Sequence, residues 1–213
     1  MTEAKYRVSL ENIKKYFNSI NLDVVYGFNY DKTYINKYSI QTKQNLCRSS
    51  DLTYDELYKL IMQNSDYDLL IPSNYGVFQF YIEKSGSKIT KIVYCYYSNS
   101  RIFDELTEEI DETEAIEEKY MDYFQFIVDD APLKDNIVYF RYDFDPSIYN
   151  GIIHSASHLH IGWNNEIRIP ILNLMTPEIF VDFVIKNVYK DAWQEAISNP
   201  KFKKNVLALK KTN

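Results

Sequence analysis

The chain has 213 residues, 46% hydrophobic and 25% charged, with 5 Gly and 2 Cys, a composition that excludes collagen, coiled coil, disulfide miniprotein and disordered tail. A net charge of −6 and a pI near 5.2 leave no global basic footprint, so binding to a polyanion requires a local patch. No apolar run reaches the roughly 18 residues that cross a bilayer, and Met1-Thr2-Glu3-Ala4-Lys5 lacks a secretory h-region, which points to the cytoplasm and no membrane.

Tyr6, Leu10, Ile13, Phe17 and Ile20 recur at steps of three and four and predict an opening amphipathic helix. Residues 24–46 are polar, rich in Tyr and Asn and without a period; they read as loop with one strand. Ser49-Ser50-Asp51 before Leu52, Leu57, Leu60 and Ile61 predicts a capped helix to about Asn64. Residues 76–82 and 88–97 are β-branched and aromatic runs split by Glu83-Lys84-Ser85-Gly86-Ser87, which reads as a hairpin.

Residues 104–122 carry ten acids, with Leu106, Ile110, Ile116 and Met121 leaving an apolar stripe. The plainer reading is a solvated acidic helix; the functional one is a docking surface for a basic protein partner. Residues 137–142 read as a strand, 157–163 as another and, after a turn at Asn164-Asn165, 166–171 as a third. Thr176-Pro177-Glu178 caps a helix through Phe180, Phe183, Val184 and Val188, with a shorter one through Trp193 and Ile197. The expected architecture is a single α+β domain over 1–200, with one antiparallel or mixed sheet flanked by helices at its N- and C-terminal ends. Residues 201–213 form a Lys-rich tail that frays.

Cys47 and Cys95 stand far apart without metal spacing and read as reduced thiols. The 20 tyrosines suit base stacking, but an AT-rich coding sequence yields the same bias, and aromatics mostly serve cores.

The chemistry concentrates between Arg141 and Arg168. Alternation along an extended chain projects Arg141, Asp143 and Asp145 one way, with Tyr139, Tyr142 and Phe144 only partly joining the core. The same period sets His158 beside His160, with Leu159 and Ile161 on the opposite face; His154 lies just upstream, so all three histidines of the chain fall within seven residues. If the two strands pair, carboxylates, guanidinium and imidazoles meet on one face, too many polar groups to bury without purpose.

Three chemistries suit that set. His158 and His160 with Asp143 form a shell for a divalent metal; imidazole and carboxylate accept zinc, manganese or iron, and zinc, manganese or magnesium is the expected cofactor. Metal-free acid–base catalysis uses one His to take a proton and another to protonate the leaving group, with Arg141 or Arg168 holding a phosphate. Nucleophilic attack by Ser155 or Ser157 ranks last, since neither sits in a Gly-x-Ser-x-Gly elbow. The plainer alternative is an ion-pair network in which the aspartates cap turns and bind Arg141. P-loop, dinucleotide-turn and His-Glu-x-x-His motifs are missing. His158-Leu159-His160-Ile161-Gly162 resembles the start of a histidine-triad nucleotide hydrolase motif, but Gly162 stands where the third His belongs, so that family is not carried over.

Tyr75-Gly76-Val77-Phe78-Gln79-Phe80, Arg141-Tyr142-Asp143-Phe144-Asp145-Pro146, His154, Ser157 to Gly162, Arg168-Ile169-Pro170 and Thr176-Pro177 together resemble a bacterial family defined only as a domain of unknown function, number 2290, over about residues 6–193. Ser155 follows His154 where that resemblance leads one to expect Pro. The order Arg-Tyr-Asp, His, His-x-His also resembles the toxin half of certain bacterial toxin–antitoxin pairs. The first likeness implies no activity and strengthens the choice of site residues.

The expectation is a small hydrolase acting on a phosphodiester of a nucleic acid or nucleotide, a nuclease-like effector of a toxin–antitoxin or anti-phage locus. Arg141, Asp143, Asp145, His154, His158 and His160 are its catalytic candidates, with Arg168 binding substrate and His158, His160 and Asp143 as metal ligands. The alternative is a non-catalytic interaction subunit of a multi-protein defence complex, docking through residues 104–122.

Overall fold

A computed structural model describes residues 1–27, 52–101, 132–150, 155–164, 167–200 and 202–203. The acidic segment 104–122, Cys47, His154, Asn165, Glu166 and the tail from 204 onward lie outside these described residues. Helix α1 (Glu3–Phe17) buries Tyr6, Leu10, Ile13 and Phe17, the expected stripe, and starts at Thr2, whose Oγ1 accepts from the Lys5 N–H at 3.3 Å. Helix α2 (Tyr54–Gln63) is capped by Thr53, not by Ser49, Ser50 or Asp51. The Thr53 N–H donates to Glu56 Oε2 at 2.7 Å while Thr53 Oγ1 accepts from the Glu56 N–H, a reciprocal box that the preceding Ser/Asp run obscured.

The strands form one antiparallel meander, β1 to β7 in chain order: β1 (Val25–Tyr26), β2 (Leu69–Ile71), β3 (Gly76–Ser85), β4 (Lys88–Tyr97), β5 (Tyr139–Phe144), β6 (Ser157–Ile161) and β7 (Ile167–Pro170). The hairpin extends further than its sequence suggests. Ser85 pairs with Lys88, so the connection is only Gly86-Ser87, with Gly86 at φ +59°. A register shift between Glu83 and Lys84 sets Glu83 opposite Lys91 and Lys84 opposite Ile89. Strand β5 begins two residues later than periodicity alone indicates, at Tyr139.

Helices α3 (Pro177–Val188, capped by Thr176) and α4 (Lys190–Ile197) close the chain as expected. On one side of the sheet Phe78, Phe80, Tyr94, Tyr96, Phe140, Tyr142 and Leu159 pack with α1, α3 and Phe202. Phe202, from the Lys-rich segment, is thus a core residue: its ring centre lies 5.2 Å from that of Tyr16. On the other side Val77, Tyr81, Val93, Cys95, Tyr97 and Tyr139 pack with α2. Tyr139 and Tyr142, expected only partly to join the core, are fully buried on opposite faces, because alternation sends each under its own helix layer. Thirteen of the 15 tyrosines among the described residues are buried, which assigns most of the aromatic excess there to packing. Cys95 is buried, forms no disulfide among the described residues and lies 3.8 Å from Tyr139 Oη.

Gly76 shows how tightly this packing is drawn. A Cβ there lies 2.2 Å from Tyr189 Oη and 2.6 Å from Tyr96 Oη, two hydroxyls that contact each other at 3.0 Å, while Tyr189 also donates to Asn74 Oδ1 at 2.6 Å. Gly76→Ala is expected to cost about 1–3 kcal/mol through this overpacking. Urea unfolding measures it, and an unchanged midpoint would show that both rings yield freely.

Candidate functional site

Helix α2 covers only part of its sheet face, and the strands beyond it leave a pocket of about 330 Å³ lined by Lys91, Val93, Arg141, Asp143, Asp145, Ile148, His158, His160 and Arg168, among others. The register builds it. Strands β5 and β6 pair with Arg141 opposite His160 and Asp143 opposite His158; β6 and β7 pair with His160 opposite Arg168. Side chains directly opposite across a ladder share a face, so five polar residues converge. The intervening Tyr142 and Leu159 are buried on the other side of the sheet, and this burial holds the register: a one-residue slip exchanges the two sets.

Asp143 is the hub. Its Oδ2 accepts from Arg141 Nε at 3.0 Å and lies 3.5 Å from His158 Nε2 and 3.2 Å from His160 Nε2. The imidazoles are nearly perpendicular, with ring centres 4.7 Å apart, and are 3% and 6% exposed. His158 Nδ1 lies 3.2 Å from the Ser155 carbonyl oxygen, which only accepts, and 3.3 Å from Arg168 Nη2, which only donates; the shorter contact favours a proton on Nδ1 and a lone pair on Nε2. Arg168 Nη2 lies 3.1 Å from that Nε2. His160 differs: its approach to Asp143 is close but poorly angled, and neither ring nitrogen makes a hydrogen bond among the described residues. Asp143, His158 and His160 offer three donor atoms within 4.8 Å of one another and can bind a metal ion.

Burial opposes ionisation of Asp143, but the two imidazoles facing it and the Arg141 charge outweigh that and hold its carboxyl well below the usual range. Burial, joined by the Arg141 charge, lowers His160 towards the neutral form against the pull of Asp143. The signs agree. Below about pH 6.5 the unfolded chain takes up a proton at His160 that the folded chain resists, and near pH 3.9 another at Asp143, so stability falls with falling pH in both windows. In EDTA, His160→Gln is expected to flatten the decline of the urea midpoint between pH 7 and 5; an unaltered slope removes His160 as its source.

Four of the six catalytic candidates, Arg141, Asp143, His158 and His160, meet as a cluster, with Arg168 beside them. Asp145 lines the pocket at one side, where its Oδ1 accepts from the Ser147 N–H at 3.1 Å, capping a short 3₁₀ turn (Pro146–Ile148), and its Oδ2 lies 3.6 Å from Lys91. His154 lies outside the described residues. Ser157 is on the wrong face for a nucleophile, paired with Tyr142 Oη at 2.8 Å, and Ser155 serves through its carbonyl. Lys91 and Ile148 complete the lining without having been picked from sequence. A lysine between Thr90 and the apolar run from Ile92 was the available signal for Lys91, which sits 3.3 Å from Glu83.

No helix among the described residues is long and apolar enough to cross a membrane. The chain belongs to the family described as "Uncharacterized conserved protein (DUF2290)", whose model matches residues 24–213. The match leaves out α1 and includes every residue of the pocket. No curated protein and no solved structure matches the chain.

Proposed function

We propose that this DUF2290 protein is a phosphodiester hydrolase, a nuclease-like effector of a toxin–antitoxin or anti-phage locus. One observation carries the reading: Lys91, Arg141 and Arg168 line the same pocket as half-buried Asp143 and buried His158 and His160, so cationic groups surround groups that can move protons or hold an ion. A phosphate fits that combination, because guanidinium and ammonium groups stabilise charge on its non-bridging oxygens while the imidazoles serve the attacking and leaving oxygens.

In hydrolysis, water adds its oxygen to phosphorus, the bond to the leaving oxygen breaks, one proton leaves the water and one reaches the leaving group. Without a bound ion, the Nε2 lone pair of His158 suits the first transfer, and Asp143 and Arg141 balance the charge that develops. If that nitrogen held an ion, the ion would instead acidify the attacking water. The order Arg141-Tyr142-Asp143, His154, His158-x-His160 supports the toxin-like role.

The test is incubation of total RNA and DNA with the purified chain, with Mn²⁺, Mg²⁺ or Zn²⁺ or with EDTA, beside a His158→Ala/His160→Ala variant. Expression in a bacterial host adds a second readout: growth arrest relieved by the same double variant supports an effector. Absence of cleavage under every condition overturns the hydrolase and leaves the non-catalytic interaction subunit.

A further inference from the structure

We propose that Asp143, His158 and His160 are the ligands of one divalent transition-metal ion, held at the floor of the pocket with open positions facing its mouth. As a cofactor the ion rests on the hydrolase reading; as a bound species it rests on the geometry alone.

The donor spacing is the first argument. A tetrahedral ion at bond lengths of ~2.0–2.1 Å separates its ligands by about 3.3–3.4 Å. The Asp143 Oδ2 to His160 Nε2 and Asp143 Oδ2 to His158 Nε2 distances, 3.2 and 3.5 Å, bracket that edge. The third edge lies within 4.8 Å, and a turn of the His160 ring, which no hydrogen bond among the described residues holds, would shorten it.

The protonation pattern is the second. A proton on Nδ1, donated to the Ser155 carbonyl, leaves Nε2 a lone pair that Arg168 Nη2 meets at 3.1 Å, with the Asp143 carboxylate oxygen 3.5 Å away. Two acceptors this close call for a positive charge beside them, which the Arg168 guanidinium supplies here and a metal ion would supply when bound. An outer hydrogen bond from the non-ligating nitrogen to a carbonyl is also how metal-bound imidazoles are oriented. Asp143 Oδ2 has two lone pairs; it accepts from Arg141 and keeps one for the ion.

The third argument is His160. It is 6% exposed, and neither of its nitrogens has a hydrogen-bond partner among the described residues. Burying an imidazole with both nitrogens unsatisfied carries a desolvation cost that coordination removes at Nε2. Two imidazoles and one carboxylate suit a borderline ion such as zinc, cobalt, manganese or ferrous iron better than calcium, which prefers oxygen.

Arg168 has a defined part in this arrangement. Its Nη2 rests 3.1 Å from His158 Nε2, on the lone pair that the ion takes. Metal entry displaces this contact and releases the guanidinium to a phosphate, so Arg168→Met is expected to bind the ion at least as tightly as the parent chain.

Titration of the EDTA-stripped, dialysed full chain with Co²⁺, followed by visible d–d absorption, tests the site, with Zn²⁺ calorimetry as a second readout because octahedral cobalt absorbs weakly. Saturation at one equivalent is expected. It is lost in the His158→Ala/His160→Ala variant, and Asp143→Asn and the volume-conserving His160→Gln weaken it by at least the 10- to 100-fold that loss of an outer-shell partner alone costs. Folding of each variant is checked by thermal unfolding in EDTA. Failure of both Co²⁺ and Zn²⁺ to bind the parent chain, or undiminished affinity in His160→Gln, overturns the site. The two readings separate cleanly: cleavage persisting in EDTA without cobalt binding removes the ion and keeps the hydrolase, whereas one-equivalent binding without cleavage keeps the ion and removes the hydrolase.

Discussion

Asp143→Asn is expected to lower phosphodiester cleavage by about 10²–10⁴-fold while the chain stays folded. The asparagine keeps the shape of the side chain, and its carbonyl oxygen still accepts from Arg141 Nε. What it loses is the negative charge that both imidazoles face at 3.2 and 3.5 Å. Without that charge an imidazolium formed in metal-free proton transfer is no longer stabilised; in a metal-bound site a ligand is instead replaced by a weaker, neutral donor. Asp143→Ala is expected to behave differently. It leaves the part-buried Arg141 uncompensated, which costs up to about 3 kcal/mol when discounted for partial solvent access. Single-turnover cleavage and urea unfolding, measured on both variants, separate charge from scaffold. Wild-type cleavage by Asp143→Asn would remove the carboxylate from the mechanism.

The second large effect concerns the support of the sheet. Phe180, the inward-facing aromatic of α3, is fully buried, with its ring centre 5.7 Å from that of Tyr94 and 6.3 Å from that of Phe78. Phe180→Ala is expected to destabilise the chain by about 3–5 kcal/mol, a transfer term plus the cavity left under two rigid rings. The same layer holds Tyr142, whose Oη contacts Ser157 Oγ at 2.8 Å and accepts from the Met175 N–H at 3.0 Å, tying β5, β6 and the approach to α3 together. A loss below about 1 kcal/mol by urea unfolding would mean that the layer collapses to fill the space.

The helices were legible because their signals are local. Tyr6, Leu10, Ile13 and Phe17 mark one face of α1 at helical spacing, and Thr176-Pro177 starts α3 with an oxygen cap and a residue that needs no N–H partner. Where two local signals competed, the choice went wrong: Ser49-Ser50-Asp51 and Thr53 are all cap-formers, and only Glu56, three residues after Thr53, completes the reciprocal bond. Strand ends were less legible, since Ile137 and Val138 look as strand-like as the residues that pair.

The candidate site divides along the same line. Alternation by itself determined that Arg141 and Asp143 share a face and that His158 and His160 share one, because successive side chains of a strand point to opposite sides. It also marked the constellation as costly to bury. Only the tertiary structure decided that these two faces are one face, through the pairing of Arg141 with His160 and of Asp143 with His158. Only it brought in Lys91 from a hairpin far upstream, and turned Asp145 aside to cap the turn at Ser147. The reason is the range of the forces. Backbone sterics act between neighbours in the chain, whereas register is chosen by burying Tyr94, Tyr142 and Leu159 in the layer that Phe180 of α3 completes, a contact between residues that no local pattern relates.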